Sequence, residues 1–193
     1  GAASGFGKGI AKKFSEEGAK LILVDINKDL LEKVSKDLNQ DFLHTDVSSS
    51  RSMQKLAEYV IQKYGTIDIM VNNAGITHLP KPLEKVSEEE FDKIFAVNSK
   101  SVFLCGKFFI PQMKKQKKGS ILNISSTAGI SPRPNLNWYN ATKGWMITAT
   151  KAMAVELAPF NVRVNSLAPV AGETPLLKSF LGEDTPERRK AFL

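Results

Sequence analysis

The chain carries one cysteine, Cys105, in 193 residues. No internal disulfide can form, and nothing points to an oxidising compartment. Cys105 sits in the apolar stretch VFLCGKFF and reads as a small core residue. No apolar run reaches the length of a membrane span, and no signal peptide is visible, so a cytoplasmic protein with no membrane partner is expected. Internal repeats, low-complexity tracts and linkers are lacking, and residues 1–193 read as a single domain. No metal site is expected. Acidic residues are outnumbered: the net charge is +7, with lysine dominant. The densest basic run, Lys114, Lys115, Lys117 and Lys118, is closed by Gly119 and suits the last turn of a helix stopped by glycine. The arginine-rich and aromatic motifs of nucleic-acid surfaces are missing, so no nucleic-acid partner is expected. Apolar content of 42% and charged content of 24% are those of an ordinary soluble domain.

What is present alternates. A glycine-rich loop, Gly1 to Gly7, precedes a helix with Ile10, Ala11 and Phe14 on one face and Gly18 as its stop. Short apolar runs at Lys20 to Asp25, Phe42 to Asp46, Ile67 to Val71, Ser120 to Ile124 and Asn161 to Leu167 read as buried strands. Between them lie helical patterns. One is capped by Asn27 and runs to about Leu38, and another covers Ser48 to Tyr64. A third opens at Ser87 with Glu88, Glu89 and Glu90 in its first turn. The stretch Phe91 to Met113 is apolar around most of its circumference, which predicts burial on two sides. Trp138 to Ala158 is a helix stopped at Pro159, and the tail Thr174 to Leu193 is helical. Strands alternating with helices predict an α/β, doubly wound parallel sheet of Rossmann type.

Two clusters carry chemistry. Gly1, Gly5 and Gly7 open a helix, so the backbone can approach a pyrophosphate at the helix's positive end. Asp25 follows Gly5 by the ~20 residues at which a dinucleotide fold places an acid for the ribose hydroxyls. That acid would repel a 2′-phosphate, which favours NAD over NADP. Tyr139 and Lys143 stand four apart, on one helix face, with Ser126 upstream in ILNISSTAG. A phenol ordinarily titrates near ~10, and a neighbouring cation lowers that value. A lone Tyr-x-x-x-Lys pair is common on helix surfaces; its company here decides the matter.

Taken in order, Gly1, Gly5 and Gly7, Asp25, Asp46-Val47, Asn72-Asn73-Ala74-Gly75, Asn98, Ser126, Tyr139, Lys143, Pro169 and Thr174 resemble the short-chain dehydrogenase/reductases over essentially the whole chain. The resemblance implies an NAD(H)-dependent oxidoreductase acting on a secondary alcohol or ketone, with catalytic Asn98, Ser126, Tyr139 and Lys143. Tyr139 would be the acid/base and Ser126 would bind the substrate oxygen. Lys143 would hold the nicotinamide ribose and lower the phenol, and Asn98 would hold a water in a proton relay. The cofactor would meet Gly1, Ser4, Gly5, Phe6, Gly7, Asp25, Ile26, Asp46, Val47, Asn73, Ala74, Gly75, Tyr139, Lys143, Pro169 and Thr174. It also implies a homo-oligomer, dimer or tetramer, paired through the helices at Phe91 to Met113 and from Trp138. The chain departs from the family pattern by beginning inside the glycine motif, by Val170 after Pro169, and by ending after the tail helix. It therefore reads as truncated at both ends, and the sheet would lack its first, central strand and its last edge strand.

The alternatives are a 3-oxoacyl-carrier-protein reductase using NADPH and, more remotely, a non-catalytic dinucleotide sensor on the same fold. Ile130, Trp138, Val170, Leu176, Leu177 and Phe180 form the expected apolar pocket wall. Arg133, between Pro132 and Pro134, is either a contact for a substrate carboxylate or phosphate or a solvated loop residue. His78 is expected as a partly exposed loop residue without chemistry.

Overall fold

The helices begin where side chains can take up their first amides. Asn27 Oδ1 accepts from Leu30 N–H at 3.1 Å, and Ser49 Oγ accepts from Ser52 N–H at 3.3 Å. Ser87 and Glu90 cap each other reciprocally, at 3.3 and 3.0 Å. In this computed structural model, residues 1–192 are described, so Leu193 of the expected tail helix lies outside the described residues. The order is α1 Gly5–Glu16, β1 Ile22–Asp25, α2 Lys28–Leu38, β2 Asp41–His44, α3 Ser50–Tyr64, β3 Ile69–Asn72, α4 Glu88–Phe95 and α5 Ser101–Gln116. It continues with β4 Gly119–Ile124, α6 Asn137–Leu157, β5 Val162–Leu167, α7 Pro175–Leu181 and α8 Pro186–Phe192.

All strand pairs are parallel, as expected of an α/β Rossmann-type fold. The sheet is in two pieces, β1-β2 and β3-β4-β5. Residues 1–3 bridge their carboxyl ends: Ala2 N–H donates to Val24 O at 2.9 Å, and Asn73 Nδ2 donates to Gly1 O at 2.9 Å. The larger core joins Met53 and Leu56 of α3 to Leu104, Phe109 and Met113 of α5, Ile121 of β4 and Leu157 of α6. A smaller one joins Ala11, Leu23, Leu31 and Val34. Cys105 is buried in the first, and its thiol is pushed up to about 12 by burial.

Four expectations are corrected. The glycine loop does not precede α1; Gly5 and Gly7 belong to its first turn. Gly119 does not stop α5. Lys117, at φ 51, takes the left-handed position, and Gly119 opens β4 where a Cβ would lie 2.8 Å from Met113 Sδ. The tail is two helices, broken at Gly182 with φ 74. The stretch Glu88–Gln116 is a 29-residue helical run, long and apolar enough to cross a membrane by length and composition. Its side chains Val102, Leu104, Cys105, Phe109 and Met113 are instead buried in the domain. A π-helical turn, Ala96–Lys100, divides this run into α4 and α5.

Candidate active site

Tyr139 and Lys143 lie one turn apart on α6, each 4% exposed. The segment after β4 is stitched to them. Ser125 Oγ donates to Lys143 O at 2.9 Å. Ser126 Oγ accepts from Ala128 N–H at 3.1 Å, starting a short turn. Gly129 in that turn lies on α6 so closely that a Cβ would sit 2.6 Å from Lys143 C. The chain thereby delivers Ser126 to Tyr139, and their side chains are hydrogen-bonded.

Burial raises the Tyr139 phenol above its ordinary value, and the bond with Ser126 opposes it only in part. The expected lowering by Lys143 is not what this arrangement shows. Lys143 Nζ is 5.8 Å from the phenol ring centroid and donates to Ile124 O at 2.8 Å. Its own pKa is lowered to about 8 by burial.

Asn98 sits in the π turn and is fully buried. Its Nδ2 donates to Ile76 O at 2.9 Å and to Thr142 Oγ1 at 3.0 Å. Its Oδ1 accepts from Ile76 N–H at 2.9 Å. A Cβ on Gly75 would lie 3.4 Å from Lys143 Nζ and 3.5 Å from Asn98 Oδ1. The glycine therefore leaves a gap between these two groups.

A cleft runs from Ser126, Tyr139 and Lys143 past Asn73, Ala74, Gly75, Pro169 and Thr174 to Gly1, Ser4, Gly5 and Phe6. Behind Gly1, outside the lining, a Cβ on Gly7 would come within 1.7 Å of Gly1 O, so only glycine fits. Gly5 has φ 51, and a Cβ on it would lie 3.1 Å from Thr174 Cβ; a Cβ on Gly172 would lie 2.6 Å from the Phe6 ring. Ser4 makes no side-chain cap to α1, and no acid stands in the first turn. The open amides and the helix dipole suit a pyrophosphate, so these residues fit a dinucleotide.

The remaining expected cofactor residues, Gly7, Asp25, Ile26, Asp46 and Val47, are outside the cleft lining. Asp25 ends β1 and accepts from Ala3 N–H at 3.0 Å and Asn27 N–H at 2.9 Å. Burial alone would raise its carboxyl, but those bonds hold it below the usual value. Ile26 is exposed. Asp46 Oδ1 takes Ser48 N–H at 2.9 Å ahead of α3, and Val47 packs on the larger core.

Two of the expected pocket walls are misplaced. Trp138 turns to Phe91 of α4, edge on at 5.4 Å, and Ile130 is 69% exposed; neither lines the cleft. Leu136, which the sequence reading missed, lines it in their stead, while Val170, Leu176, Leu177, Phe180 and Arg133 line it as expected. His78 is buried rather than partly exposed, with Nδ1 2.8 Å from Leu79 O.

A family model described as short chain dehydrogenase matches residues 1–184. The chain belongs to this family. Among curated short chain dehydrogenase relatives, it is 39% identical to the 4-formylbenzenesulfonate dehydrogenase TsaC1/TsaC2 of Comamonas testosteroni, over 100% of the chain and 79% of that protein. It is 40% identical to the 3-oxoacyl-(acyl-carrier-protein) reductase FabG of Thermotoga maritima, over 98% of the chain and 77% of that protein. Among solved structures, a 3-ketoacyl-(acyl-carrier-protein) reductase from Brucella melitensis complexed with NADH superposes with a TM-score of 0.94 at 44% identity, covering 99% of this chain and 80% of that one. As a short chain dehydrogenase, the protein is an oxidoreductase of CH–OH or keto groups that uses NAD or NADP.

Proposed function

We propose that the protein is an NAD(H)-linked oxidoreductase of secondary alcohols and the matching ketones. The observation that carries this reading is the hydrogen-bonded Ser126–Tyr139 pair buried beside Lys143, at one end of a cleft whose other end is the uncapped start of α1. A nicotinamide cofactor held in this cleft would supply or accept the hydride. The rest falls to the chain. Tyr139 Oη holds the transferable proton; raised by burial, the phenol is protonated at neutral pH and ready to donate to a ketone oxygen. Ser126 Oγ orients the phenol and offers the same oxygen a second hydrogen bond. Lys143 Nζ stands behind them at Ile124 O, next to the gap over Gly75 through which a water can connect it to Asn98.

The preference for NAD(H) is supported by Asp25, an ionised carboxylate at the end of β1 that would accept ribose hydroxyls and repel a 2′-phosphate. Initial rates with NAD⁺ and NADP⁺ across simple secondary alcohols test the reading. The expected result is turnover with NAD⁺ preferred. No turnover of any alcohol, or greater efficiency with NADPH than with NADH, overturns it.

A second reading is a 3-oxoacyl reductase using NADPH. It is favoured by similarity to two such reductases and by the apolar walls Val170, Leu176 and Leu177. The net charge of +7 suits an acidic carrier. Strong NADPH-linked reduction of an acetoacetyl thioester, with little activity on simple alcohols, would reverse the ranking.

A further inference from the structure

Two threonines of α6 repeat one arrangement. Thr142 Oγ1 donates to Tyr139 O at 2.7 Å and accepts from Asn98 Nδ2 at 3.0 Å. Further along the helix, Thr150 Oγ1 donates to Met146 O at 2.8 Å and accepts from Asn123 Nδ2 at 2.8 Å. Both threonines are buried. A threonine hydroxyl has one proton. In each case that proton is spent on a backbone carbonyl, which can only accept, so the oxygen meets the asparagine as an acceptor. The two sites differ in what lies beyond the asparagine. Asn123 Oδ1 accepts from Asn72 Nδ2 at 2.8 Å, across the β3–β4 pair. Asn98 Oδ1 borders the gap over Gly75, where a Cβ would stand 3.5 Å from it and 3.4 Å from Lys143 Nζ.

The Asn98 carboxamide can be accounted for group by group. Its Nδ2 hydrogens go to Ile76 O and to Thr142 Oγ1, and Ile76 N–H takes one lone pair of Oδ1. The second lone pair is left for the gap. Ile76 holds the amide from the loop after β3. Among the described residues, it is Thr142 that joins the amide to α6, the helix carrying Tyr139 and Lys143. We propose that Thr142 is a positioning residue of the reaction: it fixes the Asn98 carboxamide against α6 with Oδ1 at the gap beside Lys143, and so sets the acceptor end of the proton path between them. The proposal rests on the oxidoreductase reading above. Without the hydroxyl, a buried N–H of Asn98 loses its partner, and the amide loses its fixed place relative to the Lys143 ammonium. Thr150 does no such service, because Asn123 leads only to another amide.

The test uses Thr142→Val and Thr150→Val, which make the same exchange of hydroxyl for methyl. It adds Thr142→Ser and Thr142→Ala, which differ from each other by the hydroxyl alone. Thermal midpoints should fall in both valine variants, since each strands an asparagine N–H. In initial rates with NAD⁺ and a secondary alcohol, Thr142→Val should lose about tenfold in kcat, with KM and NADH affinity little changed. Its solvent deuterium isotope effect on kcat should rise as proton transfer becomes slower. Thr142→Ala should follow Thr142→Val, while Thr142→Ser and Thr150→Val keep both quantities near wild type. Wild-type kcat in Thr142→Val, or an equal kcat loss in Thr150→Val, overturns the proposal. Where Thr142→Val does not fold, the Ser and Ala variants decide, and equal kcat in those two overturns it as well. If the wild type turns over no alcohol with either cofactor, the oxidoreductase reading fails, and proton exchange then judges Thr142 by itself. The Asn98 side-chain amide protons, followed by NMR, should exchange faster in Thr142→Ala than in Thr142→Ser; equal rates overturn the proposal.

Discussion

The ammonium of Lys143 donates to the backbone carbonyl of Ile124, 2.8 Å away, and so ties α6 to the end of β4. This bond keeps a charge in a place that water barely reaches, since Lys143 is 4% exposed. Burial lowers its pKa from 10.5 to about 8, a shift worth roughly 3 kcal/mol.

A pH dependence of stability follows. Between the folded value of about 8 and the unfolded value of ~10.4, the unfolded chain holds a proton that the folded chain has released. The unfolded state therefore binds more protons, and stability attributable to this lysine rises with pH across that window and is lowest below it. Lys143→Met keeps the apolar stem and removes the titration. In denaturant melts at pH 7 and pH 10, the wild type should gain on the variant at the higher pH. A stability gap that does not move between the two would contradict the burial argument.

Tyr139→Phe deletes the proton-bearing oxygen and leaves the ring against Phe180. Turnover should fall by ~10²–10⁴, the range of lost general acid catalysis. NADH should still bind, as followed by fluorescence titration, because the amides at the start of α1 are untouched. Wild-type turnover in this variant would remove Tyr139 from the chemistry.

Gly75→Ala probes the gap between Lys143 and Asn98. The added methyl would stand 3.4 Å from Nζ and 3.5 Å from Oδ1, contacts that a folded protein tolerates. It would occupy the place of a bridging water. We expect kcat to drop by about tenfold or more, with a smaller change in NADH affinity. If kcat is retained while solvent exchange at the site is blocked, no proton passes this way.

Much of the fold was legible because its signals are local. Short apolar runs gave β1 to β5, and the Asn27 and Ser87 caps placed two helix starts. The glycines at 1, 5 and 7 were legible as a dense cluster, and Tyr139 and Lys143 through helical spacing. What escaped depends on partners distant in sequence. The π turn that buries Asn98 has no signature in AVNSK and is set by bonds to Ile76 and Thr142. Trp138 directly precedes Tyr139 in sequence. One residue along a helix turns the side chain by about 100°, and this carries it to Phe91. His78 sits in a loop, where exposure is the default, yet the fold closes over it.

Asp25→Ser tests the cofactor preference and has a structural cost of its own. The carboxylate holds Ala3 N–H and Asn27 N–H, so the variant loosens the glycine loop while removing the charge that repels a 2′-phosphate. The ratio of NAD⁺ to NADP⁺ efficiency should shift toward NADP⁺, and thermal stability should fall. Because the folded carboxyl titrates below its ordinary value, its contribution is present above an unfolded pKa of ~3.9 and fades as pH falls through the lower folded value. The melting difference between wild type and variant should therefore narrow in acid. An unchanged cofactor ratio would show that Asp25 serves the loop alone.

The outer faces of α5 and α6 lead to the prediction of a homo-oligomer. Trp145, Thr148, Ala152 and Val155 are exposed at intervals of three and four, forming one stripe along α6; Val155 is 79% exposed. Phe103 on α5 is 56% exposed. Both helices bury their other faces in the domain, so these side chains are surplus to its core. The α6 stripe and the exposed Phe103 ring suit a two-fold contact in which each copy offers the same patch. Sedimentation velocity at micromolar concentration should give a species larger than the monomer. Val155→Glu, which places a charge on the stripe without touching the cleft, should shift it toward monomer with the melting profile of the isolated domain retained. A wild-type protein that sediments only as a monomer, or a Val155→Glu variant with an unaltered assembly, would take α6 out of any interface.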